Sequence, residues 1–271
     1  WLNPSAAVGI KYPSIAFAGQ RGRFGDSTMQ AMWAMPLGPG ALGVGALFYG
    51  AGTEKVFTSL GEEMSINIQQ DYLGFASYGL TLFPRLAIGA SAKVMRSTMY
   101  ELMTTTAVSA DASARYRLTP NINLGILVRN MGTPLRYSED AIPLPLSARG
   151  GLAWEIPFQS GKFRGDELTL AGDAEYLKDD RAVAWRGGVE YFWRGRVGLR
   201  VGYFSLPDQS AVTTGFSVRY SSFQLDISAI AGGVGDVPLK FGLAWFMLPS
   251  IPQAMPADEF ERQDLRKPFV L

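Results

Sequence analysis

Arg196-Val197-Gly198-Leu199-Arg200-Val201-Gly202-Tyr203 alternates without a break. In an extended chain successive side chains point to opposite faces, so Val197, Leu199, Val201 and Tyr203 share one face and Arg196, Gly198, Arg200 and Gly202 the other. Residues 183–191 repeat the pattern, with Val183, Trp185, Val189 and Tyr191 opposite Arg186, Gly188 and Glu190. Working outward, the same period runs through 86–94, 107–117, 122–129, 144–155, 167–176, 212–220, 223–229 and 239–247, and less cleanly through 10–18, 28–35, 41–49 and 65–83. That is about fourteen strands, an even number within the range of bacterial membrane barrels. Glu54 to Glu63 is the one stretch read as a short helix.

Connection lengths give a direction. Pro36-Leu37-Gly38-Pro39, Phe83-Pro84-Arg85, Leu118-Thr119-Pro120-Asn121, Arg194-Gly195 and Ser221-Ser222 are short and built from turn residues. The connections between them, near 20–27, 51–64, 96–106, 130–143, 205–211 and 230–238, are mostly longer. Membrane barrels place short turns in the periplasm and long loops outside, which puts both termini on the periplasmic side. Two connections run against the rule: 156–166 is long on the short side, and 177–181 is short on the long side.

Alternation alone does not separate a membrane barrel from a soluble two-sheet binding module, because both have one apolar and one polar face. The composition of the polar face points to a barrel interior. It is rich in small residues, including Gly89, Ser91, Ser109, Ser113, Gly151, Gly198, Gly202, Gly215 and Ser217, as a crowded lumen requires. Its charges are mostly Arg with Asp or Glu on neighbouring strands, suited to forked pairing in a confined space. Aromatic residues such as Tyr176, Trp193, Tyr203, Tyr220, Phe223 and Trp245 gather at strand ends, as an interfacial girdle would.

Composition limits the chemistry. The 271 residues carry a net charge of +1 and are 47% hydrophobic, yet no apolar run approaches the ~18 residues of a membrane helix. Cysteine and histidine are both absent, removing the usual general bases, thiol nucleophiles and soft metal ligands. No enzyme activity and no cofactor is therefore expected. The scattered charges form no basic stripe, so nucleic acid is not an expected partner. The stretch at Trp1 has no basic segment followed by an apolar one, so any export signal is expected to have been removed or not to be included.

Several strings, taken in order, resemble the PorV/PorQ-like family of outer-membrane proteins, which is related to FadL-type barrels. Asn3-Pro4-Ser5-Ala6 is similar to the family's Asn-Pro-Ala element, without the Gly-rich segment before it, so the chain is expected to be truncated or incompletely observed there. Asn130-Met131-Gly132-Thr133-Pro134-Leu135-Arg136-Tyr137 with Leu144-Pro145-Leu146 resembles its Asn-x-Gly-x-Pro-x-x-Tyr loop and the strand that follows. Asp173-Ala174-Glu175-Tyr176, Gly188-Val189-Glu190-Tyr191, Leu199-Arg200-Val201-Gly202-Tyr203 and Gly215-Phe216 with Tyr220 keep the family's order and spacing. The resemblance implies a non-enzymatic barrel. PorV-like members are accessory or shuttle subunits of type IX secretion, with secreted proteins as cargo, whereas FadL-type relatives carry hydrophobic compounds.

The expectation is an all-β, up-and-down, transmembrane antiparallel barrel over 1–248 with a periplasmic tail over 249–271, in the bacterial outer membrane. Its function is read as an accessory or scaffold subunit of an outer-membrane complex, with transport of hydrophobic small molecules as the alternative. Arg149, Asp173, Glu175, Arg186, Glu190 and Arg200 form a candidate lumen charge network, either lining a solute path or simply filling the barrel with paired charge. Arg on both flanking strands should keep Asp173 and Glu175 ionised, which suits neither to general-acid work. Phe57, Leu60, Met99, Leu102, Pro134 and Tyr137 are candidate contacts for other subunits or for protein cargo, or else a lid over the mouth. Phe260, Leu265 and Phe269 mark the tail as a strap for a periplasmic subunit, or as a disordered end. Membrane lipid is the remaining expected partner.

Overall fold

The computed structural model describes residues 3–22, 25–57, 63–137, 141–158, 165–207, 209–232 and 237–247. Each of the fourteen alternating segments forms a strand, and eighteen strands are present among these residues. They are β1 (Ser14–Arg21), β2 (Ser27–Leu37), β3 (Gly40–Gly50), β4 (Thr53–Phe57), β5 (Glu63–Asn67), β6 (Gln69–Phe83), β7 (Leu86–Met99), β8 (Met103–Thr119) and β9 (Ile122–Gly132). They continue with β10 (Leu135–Arg136), β11 (Ala141–Ile142), β12 (Ser147–Pro157), β13 (Glu167–Leu177), β14 (Ala182–Trp193), β15 (Val197–Ser205), β16 (Ser210–Tyr220), β17 (Phe223–Ala231) and β18 (Leu239–Phe246). Fourteen close into a barrel in the order β1-β18-β17-β16-β15-β14-β13-β12-β9-β8-β7-β6-β3-β2. Every neighbouring pair is antiparallel, and closure is made by β1 on β18, from Ser14 opposite Phe246 to Arg21 opposite Leu239. Closure leaves no sheet edge, which a wall inside lipid requires because hydrocarbon offers no partner for an unpaired N–H or C=O.

The apolar face points outward and the polar face inward. Phe17, Met29, Val94, Ile126, Trp185, Leu199 and Val201 are exposed on the outer wall, while Asp71, Ser91, Lys93, Asp111, Ser147, Glu175 and Ser217 are buried. A soluble two-sheet module would turn these faces the other way round. An outer surface of this kind far exceeds the apolar patches of soluble monomers, and the barrel is a membrane-spanning one. The aromatic girdle is present at the rim formed by the short turns. There Phe223 stacks on Trp245 at 6.2 Å between ring centroids, and the Arg194 guanidinium lies 5.5 Å from the Trp193 ring.

The five short turns join strands at one rim, the same rim from which β1 starts and at which β18 ends. Trp193 to Arg196 shows how tightly they close: Arg194 and Gly195 take φ of 46° and 65°, and Arg196 N donates to Trp193 O at 2.9 Å. This is the mirror-image turn whose twist matches that of the flanking strands. At the opposite rim the connection between β7 and β8 is shorter than expected. The strands run on to Met99 and from Met103, and Tyr100 and Glu101 (φ of 50° and 60°) close a second turn of the same kind.

The expected helix over Glu54 to Glu63 is instead part of a hairpin. β4 pairs with β5, Thr53 opposite Asn67 through Phe57 opposite Glu63, and Lys55 forms an ion pair with Glu63. Thr53, Val56 and Phe57 favour extended backbone, and a partner strand decides the matter where a lone short helix would have nothing to pack on. The first expected strand also starts late. Ahead of it Pro4–Gly9 form a 3-10 helix, η1, that lies inside the barrel.

Candidate functional site: the lumen and its two mouths

At the short-turn end η1 lies against the inner wall made by β3, β6, β7 and β8. Asn3 caps it, its Oδ1 accepting from Ser5 N at 3.1 Å and Ser5 Oγ at 2.7 Å, and Pro4 fixes the first backbone angle. Ser5 N also donates to Ser113 Oγ on β8 at 2.8 Å. The approach is close because the wall has no side chain there. A Cβ on Gly89 would stand 2.4 Å from Ser5 N, and one on Gly79 2.5 Å from Pro4 O. Ile10 then packs on Ala34 and Ala41, with Ala7 beside them, to seat the segment. Some of the small residues expected on the polar face are therefore a socket.

The lumen charges fall into three clusters. In the first, Asp173 Oδ2 receives Arg149 Nη2 at 2.5 Å, and Arg186 Nη1 reaches Glu175 Oε2 at 2.6 Å and Asp173 Oδ1 at 3.3 Å. Glu175, with no exposed side-chain surface, also pairs with Arg129 and accepts from Ser147 Oγ at 2.7 Å. In the second, Arg200 Nε lies 2.8 Å from Glu190 Oε2, and its Nη2 pairs with Asp226. Asp226 accepts further from Ser217 Oγ at 2.6 Å and Gln224 Nε2 at 2.9 Å. In the third, Lys93 Nζ lies 2.6 Å from Asp111 Oδ1, and Ser91 Oγ donates to Asp111 Oδ2 at 3.0 Å. Among the described residues no three acidic side chains converge as a metal site would need.

The structure thus brings Arg149, Asp173, Glu175 and Arg186 together and places Glu190 and Arg200 in a separate group. Arg129, Lys93, Asp111, Ser147 and Asp226 complete these clusters and were missed by sequence reasoning. Asp111 and Asp226, each a lone carboxylate at an inward position of an alternating strand, were the available signal.

The third cluster sits at a fault in the wall. The register of β8 on β9 shifts between Ala110 and Ala112, where Asn130 takes a φ of 60°. Asn130 N, taken out of the regular ladder, donates to Asp111 Oδ1 at 2.9 Å, and its Oδ1 receives Lys93 Nζ at 2.5 Å. A bulge of this kind bends a strand and opens local pairing.

At the far mouth β10 pairs with β11 and lies against β8. Tyr137 OH donates to Ser97 Oγ at 2.5 Å, and Ser97 in turn bonds Asp71. Leu135 is buried, and Arg136 N donates to Thr105 Oγ1 at 2.9 Å. The segment carrying Pro134 and Tyr137 is therefore folded into the mouth, as a lid would be. Phe57 and Leu102 are 72% and 86% exposed, whereas Met99 is half-buried within β7. Leu60, Phe260, Leu265 and Phe269 lie outside the described residues, as does all of 249–271.

No protein-family model matches the sequence, and none of the curated proteins does. Solved structures do match. The Pseudomonas putida toluene transporter TodX superposes with a TM-score of 0.63 at 11% identity, over 90% of this chain and 91% of that one. The chain shares its barrel fold. The Ralstonia pickettii toluene transporter TbuX gives 0.62 at 12% identity over 90% and 92%. A Pseudomonas aeruginosa FadL homologue gives 0.57 at 9% identity over 89% and 91%. At such identities the likeness is one of fold, and it is to FadL-type barrels that this barrel is similar; nothing in it points to PorV or PorQ in particular.

Proposed function

We propose that this chain is a non-enzymatic barrel of the bacterial outer membrane that passes small hydrophobic molecules, with the short-turn rim and both termini on the periplasmic side. The observation that carries the reading is the fault between β8 and β9 beside an obstructed lumen. η1 occupies one end and Tyr137 reaches into the other, while paired charges line the interior between them. An apolar solute moving along that axis would have to displace water from ionised groups, which costs several kcal/mol per ion. A sideways route at the Asn130 bulge would meet the single Lys93–Asp111 pair and bypass the clusters on β12–β18. The similarity to the toluene transporters supports this reading over the scaffold one.

The scaffold reading, an accessory subunit of type IX-like secretion, draws on a single structural feature, the exposed Phe57 and Leu102 at the long-connection rim. Uptake separates the two. Gram-negative cells with an intact lipopolysaccharide layer and no transporter of this kind are expected to take up toluene faster when they make this chain. Unchanged uptake, with a large secretion subunit recovered in stoichiometric amount on mild extraction, would replace the transporter by the scaffold.

A further inference from the structure

A cleft of about 340 Å³ opens at the short-turn rim between the end of η1 and the wall of β6, β7 and β8. Four of its lining side chains are cationic, Lys11, Arg85, Arg115 and Arg117, and no carboxylate lines it. The other walls are mostly apolar, with Val8, Phe83, Pro84 and Leu86. Its position is fixed by the fold. Arg117 N donates to Arg85 O at 2.7 Å, which holds the turn carrying Arg85 against β8, and Ile10 seated on Ala34 and Ala41 places Lys11 at the mouth.

We infer that this cleft binds a soluble organic phosphate, independently of what crosses the barrel. Lys11, Arg85 and Arg117 bring like charge into one cleft, and a ligand supplying two negative charges in one small group relieves that repulsion. Guanidinium forks match phosphate oxygens two at a time, which favours Arg over Lys in three of the four positions. The apolar walls accept an organic body, and the volume lies at the small-molecule end of ligand pockets. Thr81 and Ala87 belong to inward-facing rows of β6 and β7, so the cleft opens on the barrel mouth rather than the lipid-facing wall. The mouth is where a free solute arrives, and the probe is chosen accordingly.

The test is titration calorimetry on the full chain in a nonionic detergent at low salt, with phenyl phosphate as the probe. Saturable binding is expected, at least tenfold weaker in an Arg85→Ser/Arg117→Ser double variant, with benzoate weaker than phenyl phosphate. Both residues are exposed at the rim, so the variant should keep the thermal transition of the parent barrel, and that is checked alongside. Absence of saturable binding, or equal binding by the double variant, overturns the inference. So does binding seen only to nanodiscs containing phosphatidylglycerol, since the ligand would then be a lipid headgroup.

Discussion

Glu175 Oε2 lies 2.6 Å from Arg186 Nη1 on the neighbouring strand, inside a lumen where the Glu175 side chain has no exposed surface. The same carboxylate pairs with Arg129, two strands away on the other side. One buried anion therefore ties β9, β13 and β14 together across the intervening β12. Glu175→Ala leaves both guanidinium groups without this counter-charge. It is expected to destabilise the barrel by about 3–5 kcal/mol, the usual cost of breaking a buried pair from one side. Urea unfolding in detergent micelles reads this, and a loss under about 1 kcal/mol would mean that water replaces the carboxylate.

The socket for η1 predicts an effect far out of proportion to the size of the change. Gly89→Leu puts side-chain atoms where Ser5 N now sits, 2.4 Å from the Cβ position. The chain has no cysteine, so a Ser5→Cys reporter is unambiguous. The thiol is expected to resist a water-soluble maleimide in the parent and to react in the Gly89→Leu background. Equal reactivity in both would show that η1 does not occupy the socket.

Val201, in the middle of β15 and exposed on the outer wall, faces the lipid. Val201→Arg should cost about 2–4 kcal/mol if it lies near the bilayer midplane. Refolding into lipid vesicles measures it. A neutral result would place this band outside the hydrocarbon.

At the long-connection rim the Glu101 carboxyl is held below its ordinary value of 4.5, first by the hydrogen bond from Asn67 N and then by that from the Asn67 side chain. A carboxyl with a depressed pKa contributes stability above its unfolded value and loses it as the pH falls through the folded one. The protection of the Asn67 amide against hydrogen exchange, taken relative to its intrinsic rate at each pH, is expected to hold from neutral pH down past 4.5 and to fall at lower pH. A Glu101→Gln variant should show no such step.

Alternation along the chain determined the fourteen strands, their faces and the short-turn rim. Each depends on the period of two, on turn residues such as Arg194-Gly195, and on the sign of the contrast between faces, all of which are local. The pairing of Asp173 with Arg149 and Arg186 was also legible, because it joins strands adjacent in sequence. The contacts that skip a strand were decided only by the tertiary structure, as with Arg129 to Glu175 over β12 and Arg200 to Asp226 over β16. These depend on the barrel's curvature bringing alternate inner rows together. Glu54 to Phe57 likewise turned from helix to strand when β5 supplied a partner, and Pro4–Gly9 went inside because Gly79 and Gly89, some 70 to 85 residues on, leave room for it. The distance along the chain separates the two classes: neighbours in sequence write their own geometry, while a socket exists only once the wall has closed.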